Sequence, residues 1–321
     1  MKRLLLLLLI VPVLAFAWEP TRPITVVIGN SPGAGNELAF RKLSQIINRT
    51  NKKISFVVEN RAGADSVIAM NHLAQTAPDG HTIGVFNHMS LYVTQDIWQR
   101  NVKQYEYNTF EDVLTIGKSP LVLVATATSA VNTPDELAVL LRTTAHPISI
   151  AVGSGAHRIT YEYLMMKTGG NRSLIKSIQF NGPAQALQSV ASPAGGTEFG
   201  IMPLAVARPL IEAGRVKAIG ITGDRKIAQM SSIPLLRKIA PGINVHAAWN
   251  IVLPPRTDRA IVDYYADLFA RAINTTEYQD WMDQNLVFAE SRELDPDGLR
   301  QHAQELRRTF LPLANQINPN E

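Results

Sequence analysis

The chain of 321 residues contains no cysteine. That excludes disulfides, thiol chemistry and a lipid-anchoring cysteine behind a leader. No run of basic residues is interleaved with aromatics, so no nucleic-acid surface is expected. The seven histidines are scattered, without an H-E-x-x-H or other ligand spacing, so no metal site is expected and nothing calls for a cofactor. Low-complexity segments and short-period repeats are lacking too. What remains is ordinary globular composition, 46% hydrophobic and 18% charged, in a chain long enough for two domain cores.

The one long apolar run is at the start. Lys2 and Arg3 precede Leu4–Leu14, and Ala15-Phe16-Ala17 closes the run with an A-x-A signal. The run is short for a bilayer-spanning helix and has the three-part order of a cleaved export leader. The expectation is a signal peptide over 1–17, a mature chain from about Trp18, and a monomer in the periplasm with no lipid anchor. Loss of Lys2 and Arg3 lowers the formal charge from +4 to +2, so part of the basic balance leaves with the leader.

Beyond Trp18, strands alternate with helices. Ile24–Ile28, Ile54–Glu59 and Thr82–Phe86 read as strands. A helix between the first two would bury Leu38, Ala39, Leu43, Ile46 and Ile47. Asp65 or Ser66 can cap a helix carrying Val67, Ile68, Leu73 and Ala74. The pattern then restarts with strands at Leu121–Ala127, Ile148–Val152 and Val216–Thr222. Between them lie a capping box at Thr133-Pro134-Asp135-Glu136 and helices at His157–Lys167 and Pro203–Ala213. Met165 and Met166 read as core. Helices near Asp258–Ile273, Glu277–Gln284 and Pro296–Asn315 close the chain, with Thr257 and Asp295 as caps. Two α/β units with a helical tail imply parallel sheet and a cleft between two lobes.

Strand, Gly-x-Gly and helix occur together twice: at Gly33-Ala34-Gly35 and at Gly153-Ser154-Gly155. The first copy also spells G-x-S-x-G, Gly29 to Gly33, the letters of a hydrolase nucleophile elbow. A nucleophile at Ser31 would need an oxyanion donor from the next N–H, and the next residue is Pro32, which has none. A dinucleotide fingerprint fails at its third glycine, where Leu38 and Arg158 stand. An anion seat demands less, since unsatisfied N–H groups and the helix dipole point at one spot. Asn30, Ser31, Asn36, Ser154 and His157 add side-chain donors beside the turns. Two tight turns with no ligand remain the plainer alternative.

Further motifs resemble a known family. Thr21-Arg22-Pro23-Ile24, Pro32-Gly33-Ala34-Gly35, Val57 to Ala64 (VVENRAGA) and Ala77-Pro78-Asp79-Gly80-His81-Thr82 resemble the solute receptors of tripartite tricarboxylate transporters, the Bug-type periplasmic receptors. So do Gly153-Ser154-Gly155, Phe180-Asn181-Gly182, Ile211 to Ala218 (IEAGRVKA), Trp249 and Leu253-Pro254-Pro255, in order, from about residue 19 to the C-terminus. The resemblance implies an α/β, type II periplasmic binding protein fold of two lobes joined by two crossing segments. Lobe 1 would comprise 18–121 and 241–321, and lobe 2 would comprise 122–240. It implies a non-enzymatic receptor that captures a small carboxylated organic acid and delivers it to the membrane permease subunits of the transporter. Open alternatives are a sensory receptor that presents its ligand without transport, and an exported hydrolase.

The resemblance places the ligand carboxylate on the loops Asn30–Asn36 and Gly153–His157. The implied binding set is Asn30, Ser31, Gly33, Ala34, Gly35, Asn36, Asn87, Ser154, Gly155, Ala156, His157, Asn181, Met202 and Trp249. Asn87 and His88 follow the third strand at its C-terminal end, where α/β clefts form. Arg158 could grip a carboxylate in bidentate fashion. The chain departs from the family pattern at Glu37, usually Asp, and at Ala34, usually a third glycine. It has Asn30 in place of an apolar residue and lacks an Asp near Phe199-Gly200-Ile201.

Overall fold

The computed structural model describes residues 18–95, 102–106, 108–192, 196–224, 226–289 and 294–314. The expected leader, 1–17, lies outside the described residues, as does Asn315. The strands are β1 (Ile24–Ile28), β2 (Phe56–Asn60), β3 (Thr82–Asn87), β4 (Glu111–Thr126), β5 (Ile148–Val152), β6 (Ile175–Gln179), β7 (Phe199–Pro203), β8 (Val216–Ile221) and β9 (His246–Leu253). The helices are α1 (Gly35–Thr50), α2 (Val67–Ala74), α3 (Pro134–Thr143), α4 (Gly155–Thr168), α5 (Pro183–Ala191), α6 (Leu204–Glu212), α7 (Arg259–Ile273), α8 (Thr276–Gln284) and α9 (Pro296–Ala314).

The strands run in the order β2-β1-β3-β9-β4-β7-β5-β6, with β8 also paired to β4. β1 is parallel to β2 and β3, and β5 is parallel to β6 and β7. Ile24, Val26, Val27 and Ile28 are all fully buried, the near-continuous apolar reading of a strand covered on both faces. β4 joins the two halves. Its residues Glu111 to Pro120 pair with β9, and Leu121 to Thr126 pair with β7 and β8. The chain returns from β8 to β9 as the second crossing.

Helix α9 packs on β4, on α4 and on the π-helical turn Ser90–Thr94. One hydrophobic cluster therefore runs through both halves, from Val27, Met70 and Phe86 to Ile150, Leu164 and Phe199, with Leu306 and Phe310 of α9 inside it.

Several local expectations are corrected. Leu38 and Ile68 are about half exposed, at 50% and 47%, because the buried stripe of α1 starts at Ala39 and that of α2 follows Val67, Met70 and Leu73. Met165 is core, whereas Met166 is 44% exposed, one position round the helix. Asp258, not Thr257, caps α7, its Oδ1 accepting from Ala260 N–H at 2.8 Å. Thr257 instead donates to the Pro254 carbonyl (2.7 Å). Neither Asp65 nor Ser66 makes a capping bond to α2. α4 begins at Gly155, two residues earlier than expected, so Gly155 and His157 lie in its first turn.

Candidate functional site

The C-terminal ends of β1 and β5 face each other, and the turns that leave them, Gly29 onward and Gly153 onward, share a cavity of about 270 Å³. Of the expected binding set, Asn30, Gly155 and Asn181 line it. Joining them are Gly29, the stretch 62–66, Gly153, Arg158, Gln179 and Phe180. Ser31 stands at the rim, its hydroxyl donating to the Asn181 carbonyl across the cleft (3.4 Å). That serine donates to a peptide oxygen rather than to an imidazole.

The first turn is wired internally. Gly33, with φ at +83°, donates its N–H to Glu37 Oε2 (2.9 Å). The same buried carboxylate accepts from Asn60 Nδ2 (3.3 Å) and Arg41 Nε (2.7 Å). Asn36 is 2% exposed; it donates to Asn30 Oδ1 and the Val85 carbonyl, and accepts from Glu37 N–H. Ala34 is the buried residue before α1. Gly35 is required by packing, since a Cβ there would come 2.5 Å from Trp249 Cζ2. Trp249, 4% exposed, fills that space as part of the core around β1 and α7. Gly35→Ala is expected to cost about 1–3 kcal/mol of stability, the usual penalty for overpacking. Urea denaturation checks this, and a parental midpoint would refute it.

Asn87 pairs with Trp249 across β3 and β9, and its Oδ1 accepts from Met89 N–H (3.0 Å), a self-satisfied turn. Ala156 and Met202 are fully buried in hydrophobic clusters on the second half. His157 is 1% exposed and accepts from Gly153 N–H through Nδ1 (3.1 Å). Burial alone pushes its pKa down to about 3, so the imidazole is neutral and holds the turn. Ser154 precedes α4 without a capping bond, and its buried hydroxyl has no partner.

Two charged groups face the cavity. Arg158 Nε donates to Glu162 Oε1 (3.0 Å), and Arg172 also binds Glu162. One buried carboxylate thus holds two guanidinium groups. The other is Asp65, for which the sequence alone suggests only a helix cap. Its Oδ1 accepts from Gly155 N–H (3.0 Å) and Ser90 Oγ (2.8 Å), and its Oδ2 from Thr94 Oγ1 (2.6 Å). Burial raises its pKa, against the lowering pull of Thr94, Gly155 and Ser90.

Asp65 reaches this place through unusual backbone. Ala64, Asp65 and Ser66 have φ of +48°, +50° and +72°, each a left-handed conformation that costs a non-glycine residue roughly 1–2 kcal/mol. Ser66 Oγ, donating to the Gly29 carbonyl (3.1 Å), fastens the far end. Such strain is held only where the surroundings over-determine it, and it gathers at sites of function. Non-glycine residues straight after Gly63 carry no local sign of this geometry.

No helix among the described residues is long and apolar enough to cross a membrane, and no group of three or more acidic or histidine side chains there could hold a metal ion. Residues 40–308 match the family model described as the tripartite tricarboxylate transporter family receptor. A protein of Cupriavidus necator described as "UPF0065 protein in gbd 5'region" is 26% identical over 268 residues, 81% of this chain and 77% of that protein. The structure of the periplasmic binding protein BugD superposes with a TM-score of 0.83 at 21% identity, covering 93% of this chain and 98% of that one. MatC of Rhodopseudomonas palustris, solved with bound malate, superposes with a TM-score of 0.83 at 20% identity, covering 92% and 100%. With a receptor-family match over most of its length and the two-lobed fold of periplasmic binding proteins, the chain belongs to the tripartite tricarboxylate transporter receptor family, a family of solute-binding proteins rather than enzymes.

Proposed function

We propose that this chain is an exported periplasmic receptor that captures a small carboxylated organic acid between its lobes and hands it to the permease subunits of a tripartite tricarboxylate transporter. In this reading lobe 1 comprises 18–121 and 241–321, lobe 2 comprises 122–240, residues 1–17 are the removed leader, and the receptor acts as a monomer. The observation that carries the reading is the cavity shared by the turns after β1 and β5, walled by Asn30, Asn181, Gln179 and the Arg158 side chain. A solute seated there touches both lobes, so its binding favours the closed arrangement by whatever contacts only that arrangement offers. The malate bound to MatC supports the chemical class of the solute.

The test is a thermal-shift screen of the purified protein against dicarboxylates, tricarboxylates, aromatic acids and amino acids, followed by calorimetry. Saturable binding of at least one carboxylated solute at one site per chain is expected. Arg158→Gln is expected to weaken it by about 1.5–3 kcal/mol, the worth of a hydrogen bond to a charged group. If no acid in the panel binds, the receptor reading fails.

A further inference from the structure

The N–H of Gly155, at the start of α4, is a donor of the second turn beside the cavity, and a protein carboxylate already accepts from it. That carboxylate comes from the opposite lobe, 90 residues away in sequence. The fit is close, because a Cβ on Gly155 would lie 2.5 Å from Asp65 Oδ2. Ser90 and Thr94, on the π-helical turn, orient the two oxygens, and the left-handed run at Ala64–Ser66 aims the side chain inward. On the first turn, Glu37 takes the Gly33 N–H in the same way. The cavity lining thus carries both a guanidinium, Arg158, and a carboxylate, Asp65.

We propose that Asp65 is a specificity-determining residue which stands where the second end of a ligand would otherwise bind. This makes the site a receptor for acids with one carboxylate and a neutral or cationic far end, and it disfavours dicarboxylates. The inference rests on the solute-receptor reading and narrows its substrate class. The carboxylate of the solute faces the Arg158 guanidinium, and its other end faces Asp65. A second carboxylate there would meet a like charge and find the Gly155 donor taken, so it would be desolvated without compensation. Discrimination comes from this repulsive element as much as from any attraction.

The experiment compares the parent with Asp65→Gly and Asp65→Asn by calorimetry on chain-matched acids: succinate against butyrate and 4-aminobutyrate, and adipate against hexanoate and 6-aminohexanoate. Glycine accepts positive φ freely. Asparagine also tolerates it and keeps an acceptor for the Gly155 N–H while removing the charge. Circular dichroism and the denaturation midpoint show that each variant is folded. The parent is expected to prefer the monocarboxylate or amino acid of each set. Asp65→Gly is expected to shift the dicarboxylate-to-monocarboxylate affinity ratio toward the dicarboxylate by about tenfold or more, the equivalent of one charged hydrogen bond, and Asp65→Asn by less. Unchanged ratios in folded variants that bind acids overturn the role of Asp65 and leave the receptor reading standing. A parent that prefers the dicarboxylates also overturns it. Absence of binding to parent and variants alike removes the receptor reading and this inference together.

Discussion

Gly153→Ala is expected to destabilise the protein by about 3 kcal/mol, the upper end of the usual overpacking range, and more than Gly155→Ala. A Cβ at Gly153 would lie 2.5 Å from the Gly182 carbonyl oxygen and 2.7 Å from Pro183 N. These are backbone atoms at the start of α5, where Gly182 has φ of +147° and Pro183 occupies the first helical position. Backbone held by a helix start cannot swing aside, so the turn after β5 and the turn after β6 would have to part. At Gly155 the obstacles are the side-chain ends of Thr94 and Asp65, which can rotate at the cost of their hydrogen bonds. Gly155→Ala is therefore expected to cost about 1–2 kcal/mol and to act mainly on the contact between lobes. Urea titrations of both variants read the difference directly. A Gly153→Ala midpoint equal to the parent's, or a larger loss at Gly155, would falsify this account of the turn.

Acid should act on His157 in a direction that can be isolated. The folded pKa is pushed down to about 3 from 6.5 by burial, while the unfolded chain takes up the proton at its ordinary value. The stability lent by the neutral ring is whole above pH 6.5. It drains as pH falls, until the folded ring is also protonated near pH 3. Between pH 7 and pH 4 this amounts to about 3 kcal/mol. In the His157→Asn variant the amide oxygen would still offer Gly153 N–H an acceptor, but the side chain would bind no proton. The stability of that variant relative to the parent is thus expected to improve by about 3 kcal/mol from pH 7 to pH 4.

Asp112 moves the other way. Burial raises its pKa from 3.8 to about 6, while the Tyr92 hydroxyl, donating to it at 2.5 Å, pulls it down. The folded protein holds this proton more tightly, so the parent gains stability as pH falls from 6 to 3.8. Any advantage of Asp112→Asn at neutral pH should shrink by up to about 2 kcal/mol at pH 4, discounted for partial solvent access. Equilibrium denaturation at the two pH values separates the signs, and a variant that changes against its stated direction would contradict the assignment made for that residue.

How far the sequence carried the fold depended on how local each signal was. β1, β3 and β5 are short apolar runs bounded by turn residues, and all three appear where their letters place them. The capping box at Thr133 is present with both of its hydrogen bonds. The letters mark β4 only from Leu121 onward, because EDVLTIGKSP mixes charges, a glycine and a proline that read as loop. It becomes strand through pairing with β9. The apolar run of β9 itself, HAAWNIVL, fits a strand or a buried helix by its letters alone. Leu38 and Ile68 misled for a related reason: one position of phase on a helix decides burial, and apolar letters next to the stripe look like members of it.

At the site, the cavity takes Gly29 and Asn30 from the first turn and Gly153 and Gly155 from the second, while Gly33, Ala34 and Gly35 lie outside its lining. Both turns are legible in the letters, but their occupants are not. Glu37 satisfies the turn one helical step behind it, and Asp65 reaches a donor 90 residues on. No spacing rule links Asp65 to Gly155, because the contact exists only once β1 and β5 lie end to end across the cleft.

The hydrophobic cluster that runs from Val27 and Phe86 through Phe310 to Ile150 and Phe199 bears on cooperativity. Were either half to melt, it would strip buried partners from the other and expose α9 to water. Neither half is then a separate unit in the energetic sense, and partial unfolding of one raises the free energy of both. Stabilisation that a solute adds at the seam is shared across the whole chain, so mass action on a single small cavity raises the resistance of every strand to denaturation.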